Sequence, residues 1–242
     1  MTQTYEQASD AAVRTSVWEA LSTVVDPELD EPITDLDFVR LCEVTDGEVA
    51  VRLRLPTAFC APNFAYLMTA DAYDAVAALP QVRSVDVRLE DHHDSEQINA
   101  GVAAQAGFAA TYAAEAEGEL DSLRQIFRRK AHTACLEQAC QHLLAEGWTF
   151  ETLPVATLHD LTDEDRGKLT RRRADIGLSV DEGSIALVDE EGTPVAAEDV
   201  SVRLRMARTV RVGIEGNAHF CRGLLAARYG AGKQAGAEEE AS

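Results

Sequence analysis

The chain has 242 residues with 42 acidic and 22 basic side chains, giving a formal net charge of -20. This length allows one large domain or two small ones, and the apolar content of 46% is typical of a chain with a packed core. No apolar run approaches the ~20 residues of a membrane helix, and the first residues lack the basic and apolar segments of a secretory signal. We therefore expect a cytoplasmic protein without membrane contact.

The charge is unevenly distributed along the chain. Residues 1–118 carry 21 acidic and 6 basic side chains, whereas residues 119–242 carry 21 and 16. The acidic first half repels phosphate backbones, so we expect no nucleic acid partner. The later arginines are expected on solvated faces, with an anion site or an acidic partner as the alternative: Arg171, Arg172, Arg173, Arg203, Arg205, Arg208 and Arg211.

The first hundred residues alternate between helical and strand periodicity. A helical stripe that includes Val17 and Leu21 precedes Asp26-Pro27, where proline disfavours a continuing helix. Residues 38–44 and 49–55 read as strands joined by a tight turn at Asp46-Gly47. A helix follows from Pro62 to Pro80, and then a third strand over 85–89. The order helix–strand–strand–helix–strand predicts an α+β domain over residues 8–98.

The remainder divides into three parts. Residues 99–118 are rich in alanine, glycine and glutamate and read as a linker or a weak helix. Residues 119–229 predict a second α+β region. Its elements are a helix over 120–146, a short helix capped by Thr162, strands over 184–189 and 200–212, and a last helix from Asn217. Residues 230–242 are of low complexity and predict a disordered tail.

Cys60 is the residue best placed for chemistry. The five cysteines are an odd number without a CxxC motif, which argues against a disulfide framework and against a zinc ribbon. Cys60 lies between a strand end and a helix start, where free N–H groups and the helix dipole stabilise a thiolate and can lower the pKa of the thiol. Thr57 could hydrogen-bond the sulfur. The alternative is a cysteine that packs as a small apolar residue.

A longer pattern around Cys60 resembles a known family. The segments Asp26-Pro27-Glu28-Leu29, Pro32-Ile33 and Leu36-Asp37-Phe38-Val39 precede the hairpin, and Thr57-x-x-Cys60 follows it. This order is similar to the PaaD/SufT-like iron–sulfur cluster assembly domain, over residues 10–92. The resemblance implies a role in maturing iron–sulfur proteins or metal-dependent oxygenases, with Cys60 as the metal, cluster or thiol site and Asp26, Glu28 and Thr57 in support. Asp37 stands where the family usually has glycine, and such departures favour a specialised branch.

Two acidic segments allow more than one interpretation. Asp26 and Glu28 could bind metal or transfer protons, although a turn in which they cap backbone N–H groups is favoured. Residues 90–94, Glu-Asp-His-His-Asp, contain metal-ligand chemistry. Adjacent side chains of an extended segment point to opposite sides, so a solvated strand end is favoured there.

The other cysteines allow a second thiol site. Cys135 and Cys140 are five residues apart, so on a helix they point in different directions and do not converge on one ion. Their apolar neighbours favour the core. Cys221 lies beside His219 at the start of the predicted last helix, in a placement similar to that of Cys60, and with Cys135 or Cys140 it could form a second thiol site.

Three functions remain open at this point. The first is a non-catalytic maturation factor in which Cys60 transiently binds iron or an iron–sulfur cluster, or contacts a client metalloprotein or another assembly protein. The second is an enzyme with Cys60 as nucleophile, which is disfavoured because the first domain offers no clear base. The third is a chaperone-like accessory protein for a metal-dependent oxygenase, without its own metal. A homodimer is a further hypothesis.

Overall fold

The computed structural model describes residues 2–112 and 119–230. The chain divides into two compact units, one formed by residues 1–120 with 218–242 and the other by residues 121–217. The tail predicted over 230–242 falls outside the described residues from position 231 onward. No helix in the described ranges is long and apolar enough to cross a membrane.

The first unit begins as an α+β domain. Its elements are α1 (Thr2–Leu21), β1 (Val25–Asp26), β2 (Glu31–Pro32), β3 (Val39–Thr45), β4 (Glu48–Arg54), α2 (Pro62–Ala77) and β5 (Ser84–Glu90). The short strands β1 and β2 pair with each other, and β3, β4 and β5 form a three-stranded sheet in that order. The predicted α+β class and the order helix–strand–strand–helix–strand are confirmed, and the β1–β2 pair is an addition.

The hairpin between β3 and β4 follows from its turn residues. Asp46 and Gly47 have φ values of 50° and 76°, and Thr45 pairs with Glu48 across them. Two consecutive positive φ values match the twist of a two-residue hairpin, which Asp-Gly favours. The predicted tight turn is confirmed.

The sheet brings two strand ends together. Strand β5 runs parallel to β4, with Arg54 opposite Glu90 at the last paired position. Parallel strands need a crossover connection, and α2 supplies it. The segments that leave β4 and β5 therefore start side by side at one edge of the sheet.

The core of this unit lies between the sheet and its helices. Alternate β4 residues, Val49, Val51 and Leu53, are buried, as the period of two predicts. Val17 and Leu21 of α1 are fully buried in the same cluster. The alternating apolar residues of β4 and the apolar stripe of α1, both predicted from the sequence, thus pack in the same core.

The region predicted as a linker or a weak helix contains helices. Residues Ser95–Ala103 form helix α3 and Phe108–Tyr112 form helix α4, and Ile98 and Val102 are buried in the first core. Gly101 allows α4 to approach, since a Cβ at this position would lie 2.0 Å from the Thr111 side chain. Positions 113–118 of the predicted linker fall outside the described residues.

The prediction for residues 200–229 is wrong in part. They form one helix, α7 (Val200–Tyr229), in place of a strand followed by a helix. Its burial follows helical spacing: Val200, Leu204 and Ala207 are buried, whereas Val202 and Met206 are 44% and 68% exposed. Apolar residues at alternate positions from Val200 onward led to the prediction of a strand. In the helix only some of these residues face the core.

The second unit is mainly helical. Its elements are α5 (Glu119–Ala145), two short 3-10 helices (Leu153–Val155 and Leu158–Asp160), α6 (Asp163–Asp175) and the first part of α7. Thr162 caps α6 by accepting a hydrogen bond from the Asp165 N–H, as predicted. Between residues 121 and 217, all described, β structure is limited to the isolated bridges Thr157–Ile185 and Val188–Pro194, so the predicted strand pair is wrong.

Buried charges occupy the second unit. Arg173 is only 1% exposed, and its guanidinium donates to the carbonyls of Ser179, Ile185 and Ala186. The solvated face expected for the arginine run is therefore wrong at this position.

Glu137 is fully buried and its Oε2 accepts a hydrogen bond from Arg211 at 2.5 Å. Burial, followed by the charge of Arg173, lowers the pKa of the fully buried His132 to about 4.

Candidate functional site

Cys60 lies in the loop between β4 and α2, immediately before the helix. Ala61 is the N-cap of α2 and Pro62 occupies its first turn. The Thr57 hydroxyl lies 3.5 Å from the Cys60 Sγ and accepts a hydrogen bond from the Phe59 N–H at 3.1 Å. The sequence prediction that Thr57 contacts the sulfur agrees with this geometry. Cys60 is half-buried, whereas Phe59 beside it is 82% exposed.

His92 fixes the Cys60 loop from the neighbouring strand end. Its Nδ1 accepts a hydrogen bond from the Asp94 N–H at 3.1 Å, so its Nε2 carries the proton and donates to the Cys60 carbonyl at 2.8 Å. A second link joins the His93 N–H to the Ala58 carbonyl at 2.9 Å. His92 thus holds the backbone of Cys60 and is not placed as a base for its sulfur.

The interpretation of residues 90–94 as a solvated strand end is wrong at His92, which is 6% exposed. The parallel pairing of β4 and β5 places the loops that follow these strands side by side. In the sequence, the strand–helix–strand order was the signal that could have identified His92. A strand–helix–strand order predicts parallel neighbours, whose carboxyl ends share an edge.

Asp26 organises the loop between β1 and β2. Its Oδ1 accepts hydrogen bonds from the N–H groups of Glu28 and Leu29 at 2.8 and 3.0 Å. This is the turn-capping geometry favoured from the sequence. Asp26 is 7% exposed, and burial outweighs these hydrogen bonds and raises the pKa of the carboxyl to about 6. Perturbed carboxylates of this kind occur both at functional sites and in structural networks.

Cys221 lies in the same unit as Cys60, in the final part of α7, so its predicted position at the start of a helix is wrong. It is half-buried and packs against the first core, as Cys60 does. Burial raises the pKa of its thiol to about 11, and the charge of Asp26 adds to this rise.

Cys135 and Cys140 belong to the second unit. Cys140 is 1% exposed within the second core, where burial and the neighbouring Glu137 raise the pKa of its thiol to about 12. Cys135 packs at the edge of that core. The second thiol site that joins Cys221 to one of these residues stays a prediction.

The described residues contain no group of three or more histidine, cysteine or acidic side chains in position to hold a metal ion. His92 contacts the Cys60 carbonyl, but both of its ring nitrogens are used in hydrogen bonds with the backbone. The site therefore offers few ligands to a metal.

Comparison with known proteins identifies the class of the first domain. The model of a family described as iron-sulfur cluster assembly protein matches residues 14–87. The chain is also 36% identical over 84 residues to the uncharacterized protein MJ1129 of Methanocaldococcus jannaschii, a match that covers 34% of this chain and 86% of that protein. The chain belongs to the iron–sulfur cluster assembly protein family, and the resemblance found in the sequence is confirmed at this level. Membership indicates a role in cluster assembly, which involves other proteins.

The structure explains one departure from the family pattern. Asp37, which stands where the family usually has glycine, has a φ of 60°. Glycine adopts this left-handed region without cost, and aspartate is among the residues that tolerate it. Its carboxylate accepts a hydrogen bond from Arg54 at 3.1 Å. The replacement thus preserves the turn.

Proposed function

We propose that this protein is an iron–sulfur cluster maturation factor of the PaaD/SufT-like type, acting through Cys60. In this function Cys60 binds iron or a cluster transiently and delivers it to a client metalloprotein or another assembly protein. The observation that carries the proposal is the placement of Cys60 in a family domain. The thiol is half-buried beside Thr57, and its backbone is held by His92.

The small number of ligands supports transient binding. Clusters that stay in a protein are held by four cysteines or an equivalent ligand set. The described residues hold no set of three, so cargo on Cys60 would keep coordination positions open for the protein that donates or receives it. An incomplete ligand set favours transfer over storage.

Client contact is supported by the residue next to the thiol. Phe59 is 82% exposed, and its ring lies 6.0 Å from that of His93, centroid to centroid. Exposed aromatic side chains frequently anchor protein partners because they bury a large apolar area. A partner that covers Phe59 would also reach Cys60.

Anaerobic reconstitution with ferrous iron and sulfide tests the proposal. Wild type should develop sulfur-to-iron charge-transfer absorption that is absent in Cys60→Ser. Cys42→Ser is the matched control, because Cys42 is also a half-buried cysteine of the first unit but lies on β3. Absorption that survives in Cys60→Ser would contradict the role of this thiol.

The absence of a three-ligand group among the described residues also favours a second candidate. The protein could act as a chaperone-like accessory factor for a metal-dependent oxygenase, without its own metal. Reconstitution would then give no band in wild type. A Cys60→Ser variant that matures clients normally would exclude the functions that need this thiol and leave this alternative.

A further inference from the structure

The end of α7 contacts the point where strands β4 and β5 stop. Arg54 and Glu90 are the last paired residues of these strands. Leu55 and Asp91 are therefore the first residues beyond the ladder. Arg228 donates hydrogen bonds to both of their carbonyls, from Nη1 to Leu55 at 3.2 Å and from Nη2 to Asp91 at 2.7 Å. One guanidinium thereby joins the two strand ends, because its forked donors serve two acceptors at once.

Asp91 makes a sharp turn that these contacts support. Its φ is 55°, in the left-handed region, which costs a non-glycine residue energy that surrounding contacts must offset. Its carboxylate accepts a hydrogen bond from the Tyr229 hydroxyl at 3.2 Å, and its carbonyl accepts the one from Arg228. The Arg54 guanidinium lies 4.6 Å from the centre of the Tyr229 ring. Two adjacent residues of α7 therefore stabilise the turn that leads the chain from β5 into His92.

Both strand ends continue into loops that meet at Cys60. His92 directly follows Asp91, and its Nε2 donates to the Cys60 carbonyl at 2.8 Å. Leu55 begins the other loop, which contains Cys60 itself. The two hydrogen bonds of Arg228 therefore fix the start of the loop that carries the thiol and the start of the loop that holds its backbone.

The contacts of Arg228 matter more to these loops than to the core. Arg228 is exposed, so its replacement removes little packed surface. The same helix has other attachments to the first unit: Leu225 is 5% exposed within the first core, and Arg222 pairs with Glu31. Loss of Arg228 should therefore leave the fold of the unit in place and release the two loops.

On this geometry we propose that Arg228, assisted by Tyr229, is a positioning residue for Cys60. By holding the starts of the two loops together, its guanidinium keeps His92 on the Cys60 carbonyl. Cys60 then meets its cargo or partner in one orientation, which lowers the cost of ordering the loop on binding. The inference rests on the proposed function and deepens it, because it extends the site to a helix outside the matched family region, residues 14–87.

Alkylation by iodoacetamide in the metal-free full chain tests the inference. Arg228→Met should raise the rate at Cys60 by about fivefold, as expected when a hydrogen bond that holds a loop closed is lost. The rate at Cys42, measured by peptide mass in the same chain, should stay unchanged because Cys42 lies on β3. General destabilisation would raise both rates, whereas loss of positioning raises the rate at Cys60 alone.

Three further variants separate positioning from a general effect on the helix. Arg228→Lys should give an intermediate rate, because an ammonium group lacks the fork that reaches both carbonyls. Arg222→Met is the matched control and should keep the wild-type rate, since it removes a different attachment of the same helix, the pair with Glu31. In a His92→Phe background, Arg228→Met should add less than it does alone, because it acts partly through His92. An unchanged rate at Cys60 in Arg228→Met, or the same increase in Arg222→Met, would overturn the inference.

Anaerobic reconstitution distinguishes this inference from the proposed function. Arg228→Met should form the charge-transfer band and release its iron to an added chelator faster than wild type does. A band that depends on Cys60, together with an unchanged alkylation rate in Arg228→Met, would overturn the positioning role and leave the proposed function intact. A faster alkylation of Cys60 in Arg228→Met, without any band in wild type, would support the positioning role and contradict the iron–sulfur cargo.

Discussion

Replacing Asp26 by asparagine should stabilise the first unit at neutral pH. The amide oxygen of asparagine can still accept the hydrogen bonds from the N–H groups of Glu28 and Leu29, but it carries no charge. Because burial raises the pKa of Asp26 to about 6, the folded protein binds a proton at this carboxyl more tightly than the unfolded chain does. The stability that this group contributes is present below its usual pKa of about 3.9 and is lost as the pH rises through about 6.

The pKa difference sets the magnitude. One pKa unit corresponds to about 1.4 kcal/mol, so ionised Asp26 costs about 3 kcal/mol above pH 7. Asp26→Asn should be nearly as stable as wild type at pH 4 and more stable by up to about 3 kcal/mol at pH 8. The gain should develop between these pH values.

Urea denaturation measures this difference. Trp18 lies in the first unit and Trp148 in the second, so a Trp148→Phe background makes fluorescence report on the first unit alone. Asp35→Asn is the matched control because Asp35 is an exposed carboxylate of the same unit, and its difference from wild type should stay near zero at every pH. If Asp26→Asn is less stable than wild type at pH 8, the ionised hydrogen bonds outweigh burial and the reasoning is refuted.

Three further substitutions test separate features. At Asp37, glycine should be more stable than alanine by about 1 kcal/mol, since φ is positive there and both variants lose the Arg54 contact. Arg173→Met should destabilise the second unit by about 3 kcal/mol or more, because three carbonyls lose their donor. Arg171→Met, at an exposed position, should change the stability of that unit little. His92→Phe should remove the donor to the Cys60 carbonyl and increase the rate at which iodoacetamide alkylates Cys60.

Each of these has a contradicting result. Equal stabilities of the glycine and alanine variants would show that the turn at position 37 relaxes without strain. Equal unfolding midpoints for the two arginine variants, measured by Trp148 fluorescence, would show that the buried carbonyls find other donors. An unchanged alkylation rate, measured by peptide mass against Cys42 in the same chain, would show that the loop keeps its conformation without His92.

Local signals determined much of the first unit. The alternation of Val49, Val51 and Leu53 and the Asp46-Gly47 turn predict the hairpin, because side-chain direction and turn conformation depend on neighbouring residues only. The position of Cys60 between strand and helix follows from the same signals. In the second unit, alternating apolar residues from Val200 onward misled the prediction, since a local pattern does not tell which residues are buried.

Tertiary structure decided the composition of the site. His92 reaches the Cys60 carbonyl across 32 residues of sequence, through the parallel pairing of β4 and β5. Cys221 joins the first unit because the end of α7 packs on that core and is fixed at Glu31 and Asp91. Arg173 is buried although its neighbour Arg171 is exposed. Such contacts depend on which distant surfaces meet, and the periodicity of one segment carries no information about its partner.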